Sequence, residues 1–575
     1  MPLPGSDLSA QSLYGAAFSA GVLVHLSVFR LGEWDGVPGR IAAFFVAMYA
    51  IASAASIYVL AEEYGGVLVV LMNVSAIFLT FLLGLFASML IYRAGFHRLR
   101  SFPGPNLARI SSIYGARMAM RRFKYFDEVD QLHKVYGDFV RIGTTTSNKS
   151  MSSVNRADLP LPSQGPNHLS VAHPAAVQAV HSSSSRCLKG PWYNTQLPSV
   201  SLLTSRDRHE HARRRKIWDN GLSFKAMRSY EPNIAKCTSQ LINNVEASLG
   251  RGIDMSHHFT LYTFDVMGTL AFAKDFKMLE SKELHPIFKF LHESMLSIVI
   301  FGHAMWFLTF LKNIPGLASA IKRLNAWANQ QIEDQIRDKP DTPNVFSWML
   351  RDYMMLPNPT PQDWMNLQAD ASLIVVAGSD TTASTLTCLL FELTKHPDVY
   401  RKLQKEVDAH LSDKKELQND SMIGMEYLQA CIDESMRMHP IVPGGVQRHT
   451  PPQGLQIGDT FIPGDVIIQV PMHTVNYDER SFPQASQFIP ERWTSRSDLV
   501  TDDSCFTPFL AGRYSCPGKQ LALLEIRHVI CEIARRYDVS FSEPQTKARF
   551  PEDIIDGFSL HCPKLELVFS ARNTY

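Results

Sequence analysis

Cys516 stands in the run Phe509-Leu-Ala-Gly512-Arg513-Tyr514-Ser-Cys516-Pro-Gly518, and an apolar, helix-forming stretch, 519–537, follows at once. Glycines at 512 and 518 permit a sharp turn and a close approach of backbone to a flat ligand. At a helix N-terminus the macrodipole and unpaired N–H groups favour the anionic sulfur over the thiol. A thiolate so placed can hold an iron, although a buried cysteine in an ordinary loop-to-helix turn reads the same way. A second run, Ala377-Gly378-Ser379-Asp380-Thr381-Thr382, lies inside 364–393, which otherwise reads as one long helix. Glycine, an acid and adjacent hydroxyls are poor helix material, so a local widening is predicted, with hydroxyls free to bond water. An acid and an alcohol joined by water can carry protons to a reacting oxygen. A kink without chemistry is the alternative.

Two further runs carry charge. His211-Ala-Arg-Arg-Arg215 falls in a basic helical stretch, 206–218, and residues at i and i+4 share a face. His211 and Arg215 can therefore donate to one acidic group, leaving Arg213, Arg214 and Lys216 as a solvated face or a docking patch for an acidic partner. Glu434-Ser-Met-Arg437 sets an acid and a base on one helix face before the stop His439-Pro440. An exposed pair of this kind is worth only roughly 0.2–0.5 kcal/mol.

In their order along the chain, the four runs resemble the cytochrome P450 family. That family's haem loop has Phe, Gly, Arg and Gly at seven before, four before, two before and two after its cysteine. Phe509, Gly512 and Gly518 match around Cys516, but Tyr514 occupies the arginine place and Arg513 stands one position earlier. The resemblance implies haem b with Cys516 as axial thiolate, a ligand that favours O–O cleavage. It implies propionate contacts from His211 and Arg215, with Arg513 in its shifted place, and Phe509 on the sulfur side of the ring. Asp380 and Thr381 fill the places of the relay acid and the oxygen-steadying threonine. Glu434, Arg437 and Arg492 (in Phe488-Ile-Pro-Glu-Arg492-Trp493) fill a buried Glu-Arg-Arg network that supports the haem loop. The segment 442–448 corresponds to one that lines the pocket above the haem.

The elements that must position these residues begin after a hydrophobic leader. Apolar stretches at 12–29, 41–61 and 66–92 precede Phe102-Pro103-Gly104-Pro105, a stiff break. The second and third stretches are long enough to span a bilayer, and the first is marginal. A cleaved signal peptide is the alternative for the first, but it lacks a basic n-region. Arg30 and Arg40 flank the first loop, Glu62 and Glu63 lie in the second, and Arg93, His97, Arg98 and Arg100 follow the third. By the positive-inside rule the N-terminus is lumenal and the catalytic region cytosolic. The expected organisation is therefore a membrane anchor over 1–100 and a haem-thiolate domain over 101–575.

At 575 residues and 45% hydrophobic, the chain can bury a large core. A net charge of +1 gives no reason to expect nucleic acid as a partner. Eight cysteines without paired spacing suggest neither a disulfide framework nor a zinc site. After a strand signal at 140–143 and another alternating segment at 457–471, read as a hairpin turning at Pro463-Gly464, the β content is small. Residues 144–164 are polar, serine-rich and without periodicity, and suit either a surface loop or an intron retained in the gene.

The fold expected from the resemblance is mainly α with a small β lobe, the cytochrome P450 fold preceded by transmembrane helices. The expected activity is insertion of one oxygen atom from O2 into an apolar small molecule. The resemblance is strongest to filamentous-fungal members of secondary-metabolite pathways, as in Leu-Lys-Gly-Pro-Trp192-Tyr193. No flavin or dinucleotide fingerprint follows the haem loop, so electrons are expected from NADPH through a separate NADPH–cytochrome P450 reductase at the endoplasmic reticulum. A haem-thiolate isomerase, dehydratase or multi-step oxidase, or a haem-binding protein without catalysis, is the alternative. The Asp380–Thr381 pair weighs against those without oxygen chemistry.

Overall fold

The computed structural model describes residues 6–30, 38–60, 66–111, 113–143, 167–288, 290, 295, 299–300, 302–303, 305–312, 319–340, 343–411 and 417–572. The insert at 144–164, with its loop and intron readings, lies outside the described residues, as do Glu62 and Glu63.

Three N-terminal helices, Ser6–Val24, Pro38–Leu60 and Val67–Ile91, follow the three apolar stretches. Each is long and apolar enough to cross a membrane, with mean hydropathy 1.5, 2.0 and 2.5. The first stretch, marginal by sequence, qualifies over Gln11–Phe29 because the helix continues through a wider turn at His25–Phe29. The first and third helices touch backbone to backbone. A Cβ on Gly21 would sit 2.1 Å from the Phe81 carbonyl oxygen, and one on Gly84 2.1 Å from that of Phe18. In lipid, such close packing replaces the hydrophobic drive that water would supply. His25–Ser88 and Tyr49–Ser75 side-chain bonds, each 2.8 Å, fasten the third helix to the other two.

The rest is mostly helical, with four small sheets among the described residues. The largest runs in the order β1 (Phe139–Gly143), β2 (His168–Val171), β8 (Ile467–Gln469), β5 (Gln447–His449), β3 (Leu188–Lys189). Only β2–β8 pairs parallel, and Lys189 stands directly across from Arg448 on the β3–β5 ladder. A three-stranded sheet joins β4 (Gly252–Asp254), β12 (Glu566–Ala571) and β9 (Tyr537–Phe541). Two hairpins complete the set: β6 (Leu455–Ile457) with β7 (Thr460–Ile462), and β10 (Ile555–Gly557) with β11 (Ser559–His561). The expected hairpin at 457–471 is thus displaced. The chain turns at Gly458-Asp459, where Gly458 has φ +53°, and Pro463-Gly464 instead leads into β8.

A helix from Pro361 to Lys395 crosses the middle of the fold. Thr360 and Asp363 cap it reciprocally and Pro361 takes the first helical position, so its start is fully specified. Its hydropathy would suit a membrane, but 67% of its apolar window is buried in protein. It packs on Met255–Phe272, Glu426–Met438 and Lys519–Arg536 around one large apolar core. The predicted widening is not found. Ser379 donates to the Val375 carbonyl, Thr381 to that of Ala377 at 2.6 Å and Thr385 to that of Thr381 at 2.8 Å. The hydroxyls therefore bond their own helix's carbonyls one turn back, a pattern open to Ser and Thr within helices.

Candidate active site

The cysteine loop is closed by the Cys516 amide donating to the Phe509 carbonyl at 2.8 Å. Gly512 adopts φ +64°, and a Cβ there would lie 2.6 Å from the His181 carbonyl oxygen and from Ser182 backbone atoms. Gly512 is thus needed for conformation and for space. Gly137 has φ +86° with nothing near its missing Cβ, and isolates the first requirement. Gly137→Ala is expected to cost about 1–3 kcal/mol through backbone strain. Gly512→Ala should cost distinctly more, read as the larger fall in thermal midpoint. Gly518 differs: at φ −84° it is not strained, and a Cβ would meet the Cys516 sulfur at an ordinary 3.8 Å.

Cys516 is the one exposed cysteine, whereas six of the other seven are buried and Cys562 is intermediate. The residue is exposed, yet dense surrounding protein pushes its thiol up. The amides of Gly518 and Lys519 and the Arg215 guanidinium oppose this without reversing it. The helix N-terminus therefore does not by itself produce a thiolate. A cation bound at the sulfur would.

Around this loop the fold assembles a buried basic cluster from four distant segments. Arg215, on the helix Arg208–Gly221, donates to the Ser515 carbonyl at 2.5 Å and to Asp219 at 2.7 Å. His211 on the same helix meets the Tyr514 ring edge-on, centroids 4.8 Å apart. Arg448 donates to the Tyr193 hydroxyl at 2.9 Å. Lys189 donates to the Leu202 and Leu203 carbonyls at 2.9 and 2.7 Å. Burial, then the charges of Lys189, Arg215, Arg448 and Arg214, pushes His211 down to about 3. Burial, then Arg448, Arg214 and Arg215, holds Lys189 well below the usual lysine range.

No ion pair joins Lys189, Arg448 or Arg513 to a carboxylate among the described residues, and the nearby Asp370 is held by Arg214 at 2.6 Å. Arg513 gives Nη2 to the Ser185 carbonyl at 2.9 Å. Its Nη1, both His181 ring nitrogens, Arg448 Nε and Tyr514 Oη are buried without partners among the described residues. Buried donors and cations left this way favour an anion supplied from outside the chain. The accessible thiol and this cluster fit a haem with its two propionates.

The patch expected from Arg213 and Arg214 is not free. Arg213 pairs with Glu210 at 2.9 Å and Asp352 at 2.8 Å, while Arg214 is buried against Asp370. Lys216 is exposed, as are Arg208 and Lys519.

Glu434, Arg437 and Arg492 are brought together, with side chains wholly inaccessible. Arg437 grips Glu434 through Nε and Nη2 at 2.9 Å each, and Arg492 Nε reaches both carboxylate oxygens at 3.2 Å. Trp493 Nε1 adds a bond at 3.0 Å, and its ring lies 4.5 Å from that of Phe506, three residues before Phe509.

On the long helix, Asp380 accepts a Ser559 hydroxyl at 3.3 Å, with His561 Nδ1 4.0 Å away. Ala377, one turn before Thr381, is exposed in a helix that is otherwise largely buried. The segment 442–448 divides. Val442 and Gly444 to Gln447 line a cavity with Tyr125, Trp192, His303 and Phe558, while Arg448 turns into the basic cluster. Trp192 and Phe558 stack there at 4.6 Å and 11°. Sequence reasoning assigned no site role to Lys189, His181, Trp192 or Phe558.

The family model described as Cytochrome P450 matches residues 163–569. The chain is 43% identical to the cytochrome P450 monooxygenase FCK2 of Fusarium pseudograminearum, over 98% of either protein. It is 37% identical to the cytochrome P450 monooxygenase phqL of Penicillium fellutanum, over 97% of this chain and 94% of that one. It is 33% identical to the tryprostatin B 6-hydroxylase of Aspergillus fumigatus, over 96% and 95%. Since both the family match and the relatives extend through the thiol loop, the long helix and the basic cluster, the chain belongs to the cytochrome P450 family of haem-thiolate monooxygenases.

Proposed function

We propose that this monooxygenase hydroxylates or epoxidises an apolar small molecule of fungal secondary metabolism. In this reading haem b is bound through Cys516, with its propionates held by His211, Arg215, Arg448 and Arg513. The observation that carries it is the accessible Cys516 thiol beside a buried cluster of cations and orphaned donors. When bound, the haem iron supplies dioxygen activation. The Cys516 sulfur would ligate the iron and Phe509 would lie on the sulfur side of the ring, while Arg215 ties its helix to the loop at the Ser515 carbonyl. Asp380 and Thr381 hand protons to the reacting oxygen, Thr381 by releasing its hydroxyl from the Ala377 carbonyl. Thr381→Ala is expected to lower product per NADPH consumed, by up to about 10²-fold, with peroxide rising in compensation.

Residues 1–100 anchor the chain by three spans and 101–575 form the catalytic domain on the cytosolic face of the endoplasmic reticulum. The arginines beside the first loop and after the third span support that orientation. Exposed Arg208, Lys216 and Lys519, near the cysteine loop, suit an acidic NADPH–cytochrome P450 reductase. The stacked Trp192–Phe558 pair, together with relatives that include a tryprostatin B 6-hydroxylase, favours an aromatic substrate.

The test is expression in microsomes with reductase, the ferrous–CO difference spectrum, and turnover of a panel of apolar aromatic alkaloids under 18O2. A Soret band at the thiolate position and one labelled oxygen per product are expected. Absence of haem, or turnover without NADPH, would overturn the reading.

A further inference from the structure

We infer that Lys189 and Tyr514 donate hydrogen bonds to a haem propionate, together replacing the arginine that the family pattern places two residues before the cysteine. This rests on the haem-thiolate reading above and extends it to residues that no motif marks.

Tyr514 stands at the substituted position. Its ring lies under Arg448 (4.8 Å to the guanidinium carbon) and Lys189 Nζ (5.0 Å), and edge-on to His211. Its hydroxyl is buried with no partner among the described residues, which is costly unless a ligand accepts from it. Lys189 is 3% exposed and gives two protons to the Leu202 and Leu203 carbonyls, which leaves its third N–H for a ligand.

Strand register makes the pair informative. Lys189 and Arg448 are direct partners on the β3–β5 ladder, and like charges directly opposite destabilise a sheet. Asp370 offsets them only in part: its pull on Lys189 is weaker than burial and the push of Arg448, Arg214 and Arg215, and its oxygens are already held by Arg214 and the Leu202 amide. Two opposed, buried cations are therefore stabilised by an anion that enters with a ligand. Arg513 does not stand in fully for the missing arginine, because its Nη2 is fixed on the Ser185 carbonyl. The competing account is packing alone, with the Tyr514 ring serving as a cation–π spacer between Lys189, Arg448 and His211.

The experiment uses the full-length holoenzyme in detergent, as wild type, Tyr514→Phe, Lys189→Arg and Lys189→Met. Three quantities are read: the ferrous–CO spectrum, the rate of haem transfer to apomyoglobin, and the propionate-bending bands in resonance Raman. Tyr514→Phe keeps the ring and its cation–π contacts but loses the donor. It is expected to retain the thiolate Soret band, shift a propionate band and release haem about tenfold faster, equivalent to about 1.4 kcal/mol. Lys189→Met should do the same and Lys189→Arg should restore the wild-type bands. Faster haem release with unmoved propionate bands in Tyr514→Phe would overturn the inference in favour of packing. Unchanged release and bands would overturn it outright. A wild type without a thiolate band would instead remove the haem-thiolate reading, and the inference with it. Should Lys189→Met fail to accumulate, Tyr514→Phe and Lys189→Arg decide the matter by themselves.

Discussion

Arg437→Ala is expected to give protein that carries almost no haem and unfolds well below the wild type. The Arg437 side chain is among the largest that are fully buried, and four hydrogen bonds leave with it. Two of them satisfy Glu434, one the Asn476 carbonyl at 2.8 Å and one the Gln487 carbonyl at 3.2 Å. Charge is not what fails first, because Glu434 and Arg492 remain as a balanced pair. The cost comes from acceptors that lose their donor and the space left by a guanidinium, at about 1–3 kcal/mol for each buried polar group left unsatisfied. Glu434→Ala should be worse still, since it leaves two buried guanidiniums facing each other. Their mutual repulsion is already felt: burial, with Arg437 adding to it, depresses Arg492 despite the opposing pull of Glu434. The damage reaches the thiol because Glu434 holds Trp493, and Trp493 packs on Phe506 at the entrance to the cysteine loop. The check is the ratio of haem to protein absorbance together with the thermal midpoint. Arg496→Ala, which breaks the exposed pair with Asp498, should change neither.

What the sequence disclosed was whatever is local. The loop around Cys516, the helix after it and the acid–base pair at Glu434 and Arg437 are each contiguous. The long helix, read from its apolar pattern over 364–393, came within a few residues of its ends, Pro361 and Lys395. What stayed hidden is whatever depends on which segments meet. Lys189 and Arg448 become neighbours only through strand register, across more than half of the catalytic region. Arg213 and Arg214 read as a solvated patch because nothing local announces Asp352 and Asp370, which arrive from other helices. The hydroxyls at Ser379 and Thr381 read as free because they are weak helix formers, but each donates to its own helix's carbonyl four residues back, Ser379 in a buried setting and Thr381 in an exposed one. The turn expected at Pro463-Gly464 lost to Gly458, whose positive φ suits the tighter connection.

Cys516→Ser is expected to abolish the thiolate Soret band and product formation while leaving a measurable fraction of haem bound. The two halves of that expectation have separate causes. Burial pushes the Cys516 thiol up, so in the haem-free chain the sulfur is held mainly as SH despite the amides of Gly518 and Lys519. Deprotonation is therefore driven by the metal cation, and metal binding at this position releases a proton. A serine hydroxyl has a far higher pKa and a harder oxygen, so the same cation gains little by displacing its proton. The loop itself should survive the change, because its closing bond is the residue-516 amide to the Phe509 carbonyl, and Gly512 is untouched. Haem retention then falls to the basic cluster, which does not contain the sulfur. Loss of the band with haem retained would locate the ligand at Cys516 and the grip at the cluster. Cys562→Ser is the matched control, since Cys562 is the only other cysteine not fully buried and its replacement should leave the band in place. A Cys516→Ser spectrum that kept the thiolate band would transfer ligation to another sulfur, and with it the whole assignment of the site.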